Sequence, residues 1–186
     1  MDWDTLRAES RPYFLGVTDT HTGQAHYLQP ELAQLAETMK ASSAMPVAYR
    51  GGVTLGDDNF VDGGVADAIP VAEAIRRGAK RLLILRSQTA DYRKRAPASP
   101  RLLKHLLRKT PGLIAPMLQR AEQYNATLDL IRQPPKGVEI IEICPPPSFQ
   151  LKRLTRSAAP LQQGYQLGLE AGVEAITRWH EADNFA

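Results

Sequence analysis

The chain has 186 residues, 43% of them hydrophobic and 23% charged, which fits one ordinary globular domain and excludes a disordered chain. No apolar run approaches the roughly 20 residues needed to span a bilayer, and the opening Met1-Asp2-Trp3-Asp4 lacks the basic and apolar regions of a signal peptide. The net charge of +3 conceals an asymmetry: residues 76–109 hold twelve of the 23 Lys and Arg, opposed by Asp91 alone, so this stretch carries +11 and the remainder −8.

Tyr13 to Thr18 reads as a short buried strand, Asp19 to Gly23 as a turn, and Gln24 to Leu28 as its hairpin partner. A helix is expected from Pro30, with Leu32, Leu35, Ala36 and Met39 on one face, and Pro46 ends it. Val47 to Tyr49 and Asn59 to Val61 read as short strands around the turn-rich Gly51-Gly52 and Gly56-Asp57-Asp58 segments. Pro70 to Arg77 is a helix with Gly78 past its end. Arg81 to Leu85 is a buried strand of parallel type.

Residues 87–100 form a polar loop. Two apolar-basic helices follow, Arg101 to Lys109 and Leu113 to about Ile131. Val138 to Ile143 is another strand, stopped by Pro145-Pro146-Pro147. The last helix runs from about Ala159 to His180, with Leu161, Tyr165, Leu169, Val173 and Ile176 along one stripe. The lone cysteine, Cys144, rules out an intrachain disulfide and fits a reducing, cytoplasmic compartment. Its apolar setting reads as a small hydrophobe. The alternation of strands and helices points to an α/β fold, a mostly parallel sheet flanked by helices.

The sharpest local feature is Phe60-Val61-Asp62-Gly63-Gly64-Val65. A carboxylate at the end of an apolar strand is fixed in position, and the two glycines let another backbone or a substrate approach. Alone, Asp-Gly after a strand reads as a turn. Its surroundings change that reading. Ala41-Ser42-Ser43-Ala44-Met45-Pro46 closes a helix sixteen residues earlier, and Ile69-Pro70-Val71 opens the next one.

This arrangement resembles the patatin-like phospholipase family: an A-S-x-A-x-P helix end, a strand finishing in D-G-G or D-G-A, then a proline-led helix. Val17-Thr18-Asp19 with Thr22-Gly23 is similar to the family's preceding strand and turn, and Tyr165 with Gly168 loosely to its last helix. The resemblance implies a three-layer α/β architecture, of which this chain is the C-terminal portion, and a lipid acyl hydrolase that uses a Ser–Asp dyad with no catalytic histidine. Asp62 is then the base, and Gly63, Gly64, Ser42, Ser43 and Pro46 shape the site. Neither a G-x-S-x-G elbow nor a G-G-G-x-x-G oxyanion loop occurs in the sequence. The chain therefore reads as a fragment, inactive alone, whose serine comes from a missing N-terminal half or a second chain. Its parts are a core (1–86), a basic helical insertion or lid (87–132), and a last strand and helix (133–186). No cofactor is implied.

Other residues have simpler readings. Ser42 and Ser43 lack an elbow and read as hydrogen-bonding to backbone at the helix end. His21 and His26 flank a turn without further ligands, and His105 and His180 read as surface residues, so no metal is expected. Asp57 and Asp58 read as a polar turn, and Asp67 as a helix cap or a turn. The basic helices offer an alternative from another class, a non-catalytic module that binds anionic membranes or a partner. Leu103, Lys104, Leu107 and Arg108 are the candidate membrane contacts. A core-packed helix with a solvated basic face is the competing reading. Nucleic acid is not expected, since few aromatics interleave with the charges. A homo-oligomer would cover an exposed sheet edge.

Overall fold

The computed structural model describes residues 11–49, 51–149, 151 and 155–183. The reading of Met1 to Asp4 falls outside them. The elements run β1 (Leu15–Asp19), β2 (Ala25–Leu28), α1 (Leu35–Ser43), β3 (Val53–Leu55), β4 (Asp58–Asp62), α2 (Val71–Arg76), β5 (Arg81–Leu85), α3 (Pro100–Leu106), α4 (Ile114–Arg132), β6 (Glu139–Ile143) and α5 (Ala158–Asp183). The fold is mixed α/β. It divides into two compact units: one from the described residues up to Pro70 with Lys94–Ala126, the other from Val71–Arg93 with the described residues from Thr127 onward. No described helix is long and apolar enough to cross a membrane.

The first unit is built on a four-stranded sheet in the order β2-β1-β4-β3. Every neighbouring pair in it is antiparallel, which corrects the expectation of a mostly parallel sheet. The reason is the length of the connections. β3 and β4 are joined by Gly56 and Asp57 alone, with Leu55 opposite Asp58, and a two-residue loop can only return antiparallel. Gly56 has φ +63°, as the first central position of a type II′ hairpin turn requires. The strand expected at Val47 to Tyr49 is instead a turn, in which Ala48 and Tyr49 N–H both donate to the Met45 carbonyl. Gly51 and Gly52, at φ +92° and +74°, delay the strand until Val53.

β4 feeds two cores from its two faces, as the period of two dictates. Phe60 packs with Val17, Ala41, Ala44 and Val53 beneath α1. Val61 packs on the opposite side with Val65, Leu103, Leu107 and Leu113. Leu107, Leu113 and Val61 are almost completely buried, and each such side chain contributes about 1.5–3 kcal/mol. α3 starts where the Ser99 hydroxyl accepts from Leu102 N–H at 3.3 Å and Pro100 takes the first helical position. It ends at Leu106, three residues before the expected limit.

The second unit holds the parallel pair β5 and β6, registered Arg81 to Glu139 through Leu85 to Ile143. α5 packs on β6 through Ala171, Ala175 and Trp179 against Ile141 and Ile143. The predicted stripe of this helix is therefore not its packed face. Leu161, Tyr165, Leu169, Val173 and Ile176 are all exposed, as are Leu83 and Leu85 of β5. Small alanines let the helix approach the strand closely, and the larger side chains are turned away from it.

Candidate functional site

Three elements converge on Asp62. β4 carries it as its last residue, opposite Val17 of β1. The end of α1 is tied to it directly, because Asp62 N–H donates to the Ala44 carbonyl at 2.9 Å. Behind it, the buried Thr18 hydroxyl donates to the Asp62 carbonyl at 2.9 Å and accepts from Ala66 N–H at 3.2 Å. The Asp62 backbone is thus held by a strand, a helix end and a buried hydroxyl.

The paired glycines have separate duties. Gly63 is buried, and a Cβ there would collide with the Gly16 carbonyl of β1. Close approach of two backbones therefore requires glycine at this position. Gly64 donates its N–H to Asp62 Oδ1 at 2.7 Å, turning the carboxylate over the start of a one-turn 3-10 helix, Gly63–Val65. The other carboxylate oxygen, Oδ2, has no hydrogen-bond partner among the described residues. Asp62 is half-buried.

Arg120, from α4, donates through Nε to the Gly64 carbonyl at 2.5 Å. Its Nη2 and Asp62 Oδ1 both lie within 3.4 Å of the point where a Cβ on Gly64 would stand. The guanidinium is thereby anchored to the Gly64 backbone without forming an ion pair with Asp62. Arg120 is absent from the sequence reading, and so is the bracing by Thr18. Arg120 lies 56 residues from Gly64, and no spacing rule joins a helix that distant to a strand end.

Ser42 is half-buried and donates to the Gly16 carbonyl at 2.7 Å. It therefore pins α1 to β1 rather than sealing its own helix end. Ser43 is exposed. Pro46 lines a cavity of about 970 Å³ whose wall includes Asn59 and Val61 but not Asp62, since Val61 and Asp62 face opposite ways on β4. Asp67 caps no helix. It accepts the Tyr27 hydroxyl at 2.5 Å and ties β2 to the segment after β4. Asp57 and Asp58 are exposed.

Asp19 closes the β1–β2 turn by accepting His21 N–H and Thr22 N–H, each at 2.7 Å, and the Thr22 hydroxyl at 3.1 Å. Burial alone would raise its pKa. Those hydrogen bonds outweigh burial and hold the carboxyl below its ordinary value. His26 stands edge-on to Phe60, ring centroids 5.7 Å apart. No three His, Cys, Asp or Glu side chains among the described residues come together as metal ligands.

In the second unit, burial first and the neighbouring Glu142 second push the Cys144 thiol up, so it stays protonated and inert. Of the four candidate membrane contacts, only Lys104 and Arg108 are exposed. Leu103 and Leu107 are buried in the core with Val61. The leucines that α3 and its following turn leave exposed are Leu102 and Leu106, one residue out of phase with the sequence reading.

Comparison with known proteins adds three findings. The chain is 32% identical over 148 residues to YjjU, an uncharacterized protein of Escherichia coli strain K12; the match covers 79% of this chain and 42% of that protein. The chain thus spans less than half the length of this curated relative. Residues 110–184 match a domain of unknown function (DUF6363), and this span contains the last helix, where the likeness drawn from Tyr165 and Gly168 was loosest. Residues 3–75, at the N-terminal end of the chain, match the patatin-like phospholipase family model, and Asp62, Gly63, Gly64 and the Ala41–Pro46 helix end all lie within that match.

Proposed function

We propose that the chain contributes the aspartate base of a Ser–Asp lipid acyl hydrolase, and that the serine is supplied by polypeptide outside these 186 residues. The observation that carries this reading is the state of Asp62. One carboxylate oxygen is held by Gly64 N–H and the other is left without a partner, within a segment matched to the patatin-like phospholipases.

In this reading Oδ2 takes the proton of the serine hydroxyl while Oγ attacks the ester carbonyl. Collapse of the tetrahedral intermediate breaks the ester C–O bond, and the departing alcohol takes the proton back from Asp62. A water, deprotonated by the same carboxylate, then hydrolyses the acyl-serine. Ser42 is a poor substitute nucleophile, since its hydroxyl already donates to the Gly16 carbonyl. The bare apolar stripe on α5 and the exposed Leu83 and Leu85 support the idea that further polypeptide completes the fold.

The test joins this chain to the upstream polypeptide that carries a G-x-S-x-G serine and follows short-chain ester hydrolysis. Asp62→Asn should lower turnover by about 10²–10⁴-fold, the usual contribution of a positioned general base, with circular dichroism unchanged. Full turnover by the variant, or by the 186-residue chain alone, would remove the dyad assignment.

A second reading, docking on an anionic membrane surface, is favoured by the exposed Leu102 and Leu106 beside Lys104 and Arg108.

A further inference from the structure

The cavity in the first unit has a composition that the hydrolase reading does not use. Its accessible apolar lining is Val47 and Leu106, each about half exposed, backed by the core side chains Val61 and Leu113. Its rim carries the cations Arg108 and Lys109, with the imidazoles of His21 and His105 beside them. No Asp or Glu is among the described residues that line it. Neither Arg108 nor Lys109 makes an ion pair among the described residues, although the chain as a whole carries 20 acidic residues.

The cavity wall is built rather than incidental. Gly23, at φ +72°, packs so closely on Gly112 that a Cβ on either would collide with backbone of the other turn. The β1–β2 turn and the turn before α4 are thereby locked together, with His21 on one and Lys109 close before the other. Thr20 N–H donates to the Asn59 carbonyl at 2.9 Å, which fastens the same turn to β4. Rigid walls around uncompensated cations concentrate a positive field inside the cavity, and a volume of about 970 Å³ accommodates a small organic anion with an apolar part.

We propose that this cavity is a phosphate-binding site, in which Arg108 and Lys109 hold the phosphate of an amphiphilic phosphate ester and the exposed side chains of Val47 and Leu106 receive its apolar part. Arg and Lys are the donors suited to that group, the guanidinium binding two oxygens at once and the ammonium acting as a point charge. The phosphate can belong to a soluble ester or to a lipid headgroup. The site stands apart from Asp62, so its test is independent of the hydrolase assignment.

The experiment uses the 186-residue chain and two probes. Glycerol 3-phosphate is titrated calorimetrically, and vesicles of phosphatidylcholine with and without phosphatidic acid are tested by co-sedimentation. Binding of the soluble ester identifies a free phosphate ester as the source. Binding confined to the phosphatidic acid vesicles identifies a lipid headgroup. The variant Arg108→Gln/Lys109→Gln should weaken whichever binding is seen by about tenfold or more, the worth of one charge-assisted contact. Arg95→Gln/Arg101→Gln removes the same charge outside the cavity and should leave affinity within about twofold. If the first variant loses its fold, Lys109→Gln alone should show the same direction of change. Absence of binding to both probes overturns the site. So does an equal loss in the two double variants, which would assign the binding to the general field of the helix.

Discussion

In the second unit, five cations of the basic run face carboxylates; in the first, five others face none among the described residues. Arg76 and Arg77 both grip Glu73, at 2.6 and 2.5 Å. Arg81 pairs with Glu139 at 3.2 Å and stacks over Trp179, and Arg93 pairs with Asp129 at 2.6 Å. Arg86 pairs with Glu142 and is nearly inaccessible, its side chain 2% exposed. By contrast Arg95, Arg101, Lys104, Arg108 and Lys109 form no ion pair among the described residues. One continuous run of charge in the sequence is therefore two things in the fold: a set of structural pairs around β5 and β6, and an uncompensated cationic surface on α3 and the turn after it. The first unit takes its stability here from the apolar side of the helix, which leaves the charges available to a ligand.

The largest effect should come from the buried pair. Glu142→Ala would leave the Arg86 guanidinium buried with a lost partner and should cost about 3–5 kcal/mol, read as a lowered denaturation midpoint in urea. A loss of less than about 1 kcal/mol, the range of exposed pairs, would erase the distinction drawn between the units.

Next, Leu107→Ala should cost about 2–5 kcal/mol by opening a cavity among Val61, Val65, Leu103 and Leu113. That result would place the stability of α3 in its apolar face. If the same loss instead followed removal of its exposed cations, the contrast between the regions would fail.

The smallest effect concerns pH. Arg76 and Arg77 hold the Glu73 carboxyl down at about 2, against an ordinary 4.5. A depressed carboxyl contributes stability that is present above 4.5 and is lost as pH falls through the folded value of about 2. The melting temperatures of the wild type and Glu73→Gln should therefore differ above this window and converge below it. The difference should be small and sensitive to salt, since these pairs lie on the surface of a short helix. A difference that persisted in strong acid would show that the pairs are not its origin.

Much of the fold was legible because local chemistry decides it. Gly56-Asp57-Asp58 reads as a turn and is one, Pro70 marks the start of the helix that follows it, and the Asp62-Gly63-Gly64 sequence at a strand end marks a site where backbones meet. The strand misplaced at Val47 to Tyr49 shows the limit of the same approach. Its β-favouring side chains were visible, but the positive φ of Gly51 and Gly52, which moves the strand to Val53, is set by the surrounding turn. The polarity of the four-stranded sheet was also open to inference from the short connections, and the alternation of strands and helices concealed it.

The sequence by itself determined the position and identity of the carboxylate, the glycines that let β1 approach it, and the segment shared with the patatin-like phospholipases, because all of these are encoded within a few contiguous residues. Only the tertiary structure decided that Arg120 reaches the Gly64 carbonyl, that Leu103 and Leu107 point inward while Leu102 and Leu106 do not, and that five of the twelve cations of the basic run find acidic partners. Those outcomes depend on contacts between residues far apart in the chain, and the phase of a helix against its sheet is fixed only when the two pack.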